Sequence, residues 1–219
     1  MKTADQVTIR AGRPKGISTA GLATRDHILV VARRLFAEKT YSGVGLSELL
    51  READCPKGSF YHYFASKEAL ALELVRATGE ADGAAMTRLL SGYQADPLQG
   101  VRRIFEAVRD RAEVRGIAQA CLIARLAVEA PQISEELAAA VKGVLDSWAR
   151  TIAKALDQAQ ARQQFPADLD TKAMADFMMV SWEGVLAKAS LLGDLSPLQL
   201  FIDTMFDTLL VPRTMAPSA

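Results

Sequence analysis

Apolar residues in this chain recur every three to four positions, and no stretch alternates with the period of two that marks a half-buried strand. Ile28, Val31, Ala32, Leu35 and Phe36 make the first stripe, with Thr24 as a plausible N-cap and Asp26 in the first turn. Tyr41-Ser42-Gly43 ends that helix. Leu46, Leu49, Leu50 and Ala53 predict a short second helix, Asp54-Cys55-Pro56 a tight turn, and Phe60 and Phe64 one side of a third helix over about 57–64. Ser66 is placed to cap a fourth helix that begins SKEALALELV. Gly92, Asp96 and Pro97 read as a linker, and Val101, Ile104, Phe105 and Val108 as a fifth helix.

The sixth helix, 117–130, is apolar almost all round, which predicts burial, and Pro131 is expected to stop it. Ser134 starts a long helix with the stripe Leu137, Val141, Val144, Trp148, Ile152 and Ala155. Asp170 starts the next, through Met174, Phe177, Met178, Trp182, Val185 and Leu186 to Gly193. Ser196-Pro197 reads as a cap followed by proline at the first helical position. The last helix carries Leu198, Phe201, Ile202, Met205 and Leu209. The pattern predicts an all-α chain of about nine helices.

Composition agrees. Half of the 219 residues are hydrophobic, enough for a substantial core, and aromatics are few. The two cysteines, Cys55 and Cys121, show no paired spacing, and no apolar run approaches the ~20 residues of a membrane span. The opening MKTADQVTIRAGRPKG lacks the apolar core of a signal peptide, so a cytoplasmic location is expected. The zero net charge conceals an asymmetry: residues 1–67 hold 11 Lys+Arg against 6 Asp+Glu, whereas the rest holds 15 against 20. A basic end on a neutral carrier suits a polyanion.

The second and third helices with their tight turn form a helix-turn-helix, a unit that lays its second helix in the major groove of double-stranded DNA. With Phe60 turned inward, Lys57, Ser59, Tyr61 and His62 point outward as donors for base edges and phosphates. Gly58 lets the helix approach closely. Tyr61 and Tyr63 have packing as the alternative. Residues 1–22 read as a flexible basic arm in which Arg13 and Lys15, within AGRPKG, suit an A·T minor groove or a solvated tail. His62 and His27 alone make no metal site, and neither metal nor cofactor is implied.

The stretch GVGLSELLREADCPKGSFYHYFASKEAL resembles the DNA-binding domain of the TetR family of repressors, most specifically over PKGSFYHYFASKEAL. The resemblance implies that Lys57, Ser59, Tyr61 and His62 contact DNA, that Ser47 and Lys67 meet phosphates, and that a homodimer sets two recognition helices ~34 Å apart. It divides the chain into the arm, a DNA-binding domain over 23–68 and an effector-binding and dimerisation domain over 69–213. The Met-, Phe- and Leu-rich last two helices are its expected intersubunit bundle. Asp54 stands where glycine is frequent, and Cys55 where a branched aliphatic is usual.

In the second half, Arg125 lies four positions after Cys121, on one helical face, where a cation lowers a thiol pKa. Glu129, four further on, is placed to consume that charge, and an inert packed cysteine is the alternative. The segment Cys-Leu-Ile-Ala-Arg-Leu-Ala-Val-Glu, Trp148 and Trp182-Glu183-Gly184 resemble one branch of the TetR family whose members respond to N-ethylmaleimide-type electrophiles or to acrylate. That likeness implies a sensing or pocket-lining Cys121, with Lys188 as a second nearby cation. Trp148, Trp182, Phe105, Phe177 and Met178 suit an apolar effector pocket, or ordinary core and dimer contacts. The expectation is a repressor released through Cys121 by an electrophile or oxidant. The alternative is a repressor relieved by reversible binding of a small molecule. An enzyme finds no support in metal-ligand clusters or phosphate loops.

Overall fold

The computed structural model describes residues 19–120 and 122–211. Among them the helices are α1 (Thr19–Lys39), α2 (Leu46–Glu52), α3 (Lys57–Tyr63), α4 (Lys67–Ser91), α5 (Pro97–Arg115), α6 (Ile117–Ala120), α7 (Leu122–Ile133), α8 (Glu135–Ala161), α9 (Thr171–Leu192) and α10 (Ser196–Thr204). A π-helical turn, Met205–Leu209, continues α10 and is closed by Leu210 N–H donating to Met205 O at 2.9 Å. With α6 and α7 occupying the stretch expected as one helix, the all-α organisation of about nine helices holds.

Local chemistry sets most helix starts. Ser66 Oγ accepts from Ala69 N–H at 3.0 Å, Ser134 Oγ from Leu137 N–H at 3.1 Å, and Asp170 Oδ1 from Ala173 N–H at 2.8 Å. Each such cap stabilises its helix by about 1 kcal/mol. Four boundaries differ from expectation. α1 begins at Thr19, so Thr24 lies inside it and 19–22 are helical rather than arm; one internal glycine, Gly21, costs only about 1 kcal/mol. The arm residues Arg13 and Lys15 lie outside the described residues. Pro131 sits inside α7, whose backbone runs two residues further because a proline near the end removes a single donor. Ser196 is already helical, and Asp194 Oδ1 accepts from its N–H at 2.7 Å. The 92–97 stretch is only a tight turn, and Asp96 caps α5 through Gln99 N–H at 3.1 Å.

Two apolar cores result: the first crosses the boundary expected near residue 68, and the second lies within 69–213. The first joins Ile28 and Phe36 of α1, Leu49 of α2, Phe60 of α3 and Leu74 of α4 to Leu126 of α7 and Val141 of α8. The second packs the far half of α4 with α5, the rest of α8, α9 and α10. At its centre Phe105 meets Trp182 at 4.9 Å and Phe201 at 5.2 Å between ring centroids. Helix α4 belongs to both. No helix among the described residues is long and apolar enough to cross a membrane.

Helices α4 and α8 cross closely at Gly79, where a Cβ would stand 2.5 Å from Val144 Cγ2; at Gly83, one turn on, the nearest atom is Trp148 Nε1 at 3.8 Å. Gly79→Ala is therefore expected to destabilise the fold by about 1–3 kcal/mol through overpacking. Gly83→Ala should be neutral or stabilising by up to about 1 kcal/mol, from helix propensity. Urea unfolding of the two variants checks the contrast, and equal midpoints would remove the close crossing.

Candidate DNA interface and effector cavity

In the helix-turn-helix, Phe60 is fully buried and Phe64 nearly so, which fixes the face that α3 presents. Lys57, Gly58, Tyr61 and His62 are exposed, Ser59 is partly so, and Ser47 is exposed at the start of α2. On α3 these side chains share one surface, and nothing lies within 4 Å of a Cβ built on Gly58. Tyr63 is half-buried against the core, its packing alternative. The turn between α2 and α3 puts Asp54 at φ 45°, the left-handed conformation for which glycine is frequent in the family and which aspartate tolerates. Cys55 is buried, and burial pushes its thiol pKa up.

Lys67, expected at a phosphate, also makes contacts within the protein. Its ammonium donates to Tyr41 O at 2.8 Å and Val44 O at 2.6 Å and lies 3.9 Å from the Tyr41 ring centroid. Two of its three donors are thus turned to the α1–α2 turn. The same turn is held from the other side by Glu129 of α7, whose carboxylate accepts from Tyr41 N–H at 3.2 Å and Ser42 N–H at 2.7 Å. Burial alone would raise the Glu129 pKa; the hydrogen bonds from Ser42, Thr40 and Tyr41 outweigh it and hold the carboxyl below the ordinary glutamate value. The turn is strained: Thr40, a β-branched residue, adopts φ 69°, a conformation costing of order 1–3 kcal/mol.

A cavity of about 110 Å³ lies between α4, α5, α7, α8 and α9. Met86, Phe105, Leu122, Trp148 and Trp182 give it a mainly apolar wall. One group of charges interrupts that wall. Arg111 Nη1 donates to Asp82 Oδ1 at 3.1 Å, and Arg33 Nη1 donates to Thr78 Oγ1 at 2.9 Å. Burial lowers the Arg33 pKa, partly countered by Asp82. Glu183 also lines the cavity, and burial pushes its carboxyl up. Arg33 comes from α1, so a side chain of the DNA-binding end forms part of the effector-side wall.

Of the sensor residues expected from sequence, the structure brings Trp148 and Trp182 to the cavity, with Phe105. Cys121 lies outside the described residues; Ala120 and Leu122 on either side of it both line the cavity. Two expected cations go elsewhere. Arg125 donates to Ser190 Oγ at 3.0 Å, while Glu129, which was placed to neutralise it, is committed to the α1–α2 turn. Lys188 is exposed on α9 and absent from the cavity wall. Phe177 points to solvent, and Met178 is core. Sequence reasoning missed Arg33, Thr78, Asp82 and Arg111. Their only signal was polar residues on the inner flanks of otherwise apolar helices.

A helix-turn-helix with an exposed donor-rich recognition helix, fused to a helical bundle that encloses a small cavity, defines a ligand-responsive DNA-binding regulator. Comparison with known proteins makes the class specific. Residues 28–74 match the family model for bacterial regulatory proteins of the tetR family, and residues 97–205 the tetracyclin repressor-like C-terminal domain. The chain is 35% identical to the transcriptional regulator AcuR of Cereibacter sphaeroides, over 94% of this chain and 93% of that one. It is 32% identical to the repressor NemR of Escherichia coli, over 62% of this chain and 66% of that one. The crystal structure of a TetR regulatory protein from Rhodobacter sphaeroides superposes with a TM-score of 0.75 at 32% identity, covering 86% of this chain and 99% of that one. The protein belongs to the TetR family of transcriptional regulators. These families and relatives are regulators, not enzymes.

The Glu129 clamp carries a pH signature. Its folded pKa is depressed, so its contribution to stability is complete above the ordinary glutamate value of ~4.3 and is lost as pH falls through the lower folded value. The stability gap between wild type and Glu129→Gln should therefore be constant from pH 7 down to about 5 and close in more acid solution. Denaturant titrations at each pH measure it, and a gap that widens in acid would contradict the clamp.

Proposed function

We propose that this protein is a cytoplasmic transcriptional repressor that binds operator DNA as a homodimer and releases it when a small effector occupies the cavity. In this reading Ser47, Lys57, Gly58, Ser59, Tyr61 and His62 face the DNA, with the arm residues Arg13 and Lys15 reaching an adjacent minor groove. The observation that carries it is the cavity wall: it is built from α4, which enters the helix-turn-helix core, and from α7, which packs on that core. An effector there touches the two helices that hold the reading head.

The finer reading is that Cys121 senses an electrophile or oxidant. Its sequence neighbours Ala120 and Leu122 line the cavity, and the Arg125 charge is not spent on Glu129. A thiolate at this wall would be alkylated by a small Michael acceptor. Reversible binding is the second reading, and the polar group Arg33, Asp82 and Arg111 favours it, because a few fixed polar groups in an apolar pocket orient a ligand. N-ethylmaleimide is expected to release the wild-type protein from operator DNA and to leave Cys121→Ser bound. Anisotropy of labelled DNA, with mass spectrometry of the modified residue, is the measurement. Release of Cys121→Ser to the same extent would leave the reversible reading in place.

The dimer surface is proposed on α9 and α10, on a different face from the stripe expected. Leu198, Phe201, Ile202 and Met205 are buried in the chain's own core. The outward face of α9 instead carries Ala173, Phe177, Val180, Gly184, Ala187 and Leu191, spaced by three or four residues, with Leu200 exposed on α10. Two copies joined by these faces make a four-helix bundle. Val180→Asp should give a folded monomer with weakened operator binding in sedimentation and anisotropy, because Val180 is 70% exposed. An unchanged dimer would move the interface elsewhere.

A further inference from the structure

The α1–α2 turn is held at four backbone positions by two side chains that do not belong to it. Glu129 of α7 accepts the N–H groups of Tyr41 and Ser42. Lys67, the first residue of α4, donates to the carbonyls of Tyr41 and Val44. Tyr41 is thus gripped at both ends of its backbone by different helices. The turn is strained at Thr40, at φ 69°, and tight at Gly43, where a Cβ would stand 2.1 Å from Lys39 O and only glycine fits. Two residues after Val44, α2 begins the helix-turn-helix.

Both gripping helices also line the cavity, α4 through Thr78, Asp82 and Ala85 and α7 through Leu122, Ile123 and Ala124. Along α7, Ala124 and Glu129 are about 7.5 Å apart at the rise of a helix. A shift of either helix at the cavity therefore arrives at one end of the turn and not at the other.

We propose that Glu129 and Lys67 are positioning residues that make operator binding depend on the separation of α4 and α7. An occupant that moves α7 relative to α4 pulls the Tyr41 N–H and C=O in different directions, the strained turn gives, and α2 and α3 lose the orientation that fits DNA. The inference rests on the reading that the cavity controls DNA binding, but it assigns the coupling to one turn and two charges.

A cavity-filling substitution replaces the unknown effector in the test. Ala124→Phe is introduced into the wild-type, Glu129→Ala and Glu129→Gln proteins, and operator duplex selected from random DNA by the wild type is titrated by anisotropy. Ala85→Leu on α4 serves if Ala124→Phe does not fold by circular dichroism. Filling the cavity is expected to raise Kd about tenfold or more in the wild type, within the usual range of allosteric coupling, and less than about twofold in Glu129→Ala. In Glu129→Gln, whose amide oxygen still accepts one N–H, the effect should be intermediate; this variant carries the comparison if Glu129→Ala does not bind DNA. A Glu129 with a merely structural role would lower the melting temperature and leave the tenfold effect intact, which overturns the proposal. A filled cavity that leaves operator affinity unchanged in the wild type overturns the cavity reading together with the coupling, whereas a roughly tenfold effect kept in Glu129→Ala overturns the coupling alone. The wild-type arm therefore tests the cavity reading by itself, and the Glu129 arms test the coupling.

Discussion

The structure depends on one shared helix. α4 leaves the helix-turn-helix with Leu70, Ala71, Leu74 and Val75 buried in the first core, and it ends with Met86 in the second. No loop separates the part that meets DNA from the part that meets the effector. A flexible linker would let the two ends move independently; a continuous helix of 25 residues transmits a shift along its length. The close crossing at Gly79, and Trp148 Nε1 donating to Gly79 O at 3.4 Å, pin the middle of this helix to α8 beside the cavity.

A helix alone would move the reading head as a rigid body. The second attachment, through α7, makes the response differential. Leu126 and Ala130 of α7 are buried in the same core as Phe36 of α1 and Leu74 of α4, so apolar packing sets the distance while Glu129 sets the register with the turn. Arg33 supplies a further link, since it leaves α1, forms part of the cavity wall and bonds Thr78 of α4. The DNA-binding end is therefore exposed to the cavity's contents at three points on three helices.

The parts of this arrangement legible in the sequence are those with a local cause. Ser66, Ser134 and Asp170 cap helices because their oxygens reach an N–H three residues on, and Phe60 lies inward because helical spacing leaves no other face for the core. The misplaced parts involve partners far along the chain. Glu129 was read against Arg125, four residues away, but its hydrogen bonds go to Tyr41 and Ser42, 88 and 87 positions distant. Arg33 bonds Thr78 across 45 positions. The face on which the last two helices would pair was not legible for another reason. α9 and α10 are apolar on more than one face, and periodicity counts apolar positions without saying which side the rest of the chain will cover. Trp148 and Trp182 were placed at the cavity from family likeness and pocket chemistry, since size alone left core packing equally open.

The size of the cavity bears on how an effector can work. A dry cavity of about 150 Å³ holds benzene. A space of about 110 Å³ thus has room for roughly four to five non-hydrogen atoms. At the ceiling of about 1.5 kcal/mol per atom for very small ligands, the whole binding energy of such an occupant is roughly 7 kcal/mol. Moving a two-state regulator from almost fully bound to almost fully released requires about 5.5 kcal/mol of preference for one state. A reversible effector of this size would have to direct most of its binding energy into distinguishing the two states, and it would act only near micromolar concentrations or above. Covalent capture by a thiol escapes that bound, because the bond to sulfur supplies free energy beyond contact with the wall.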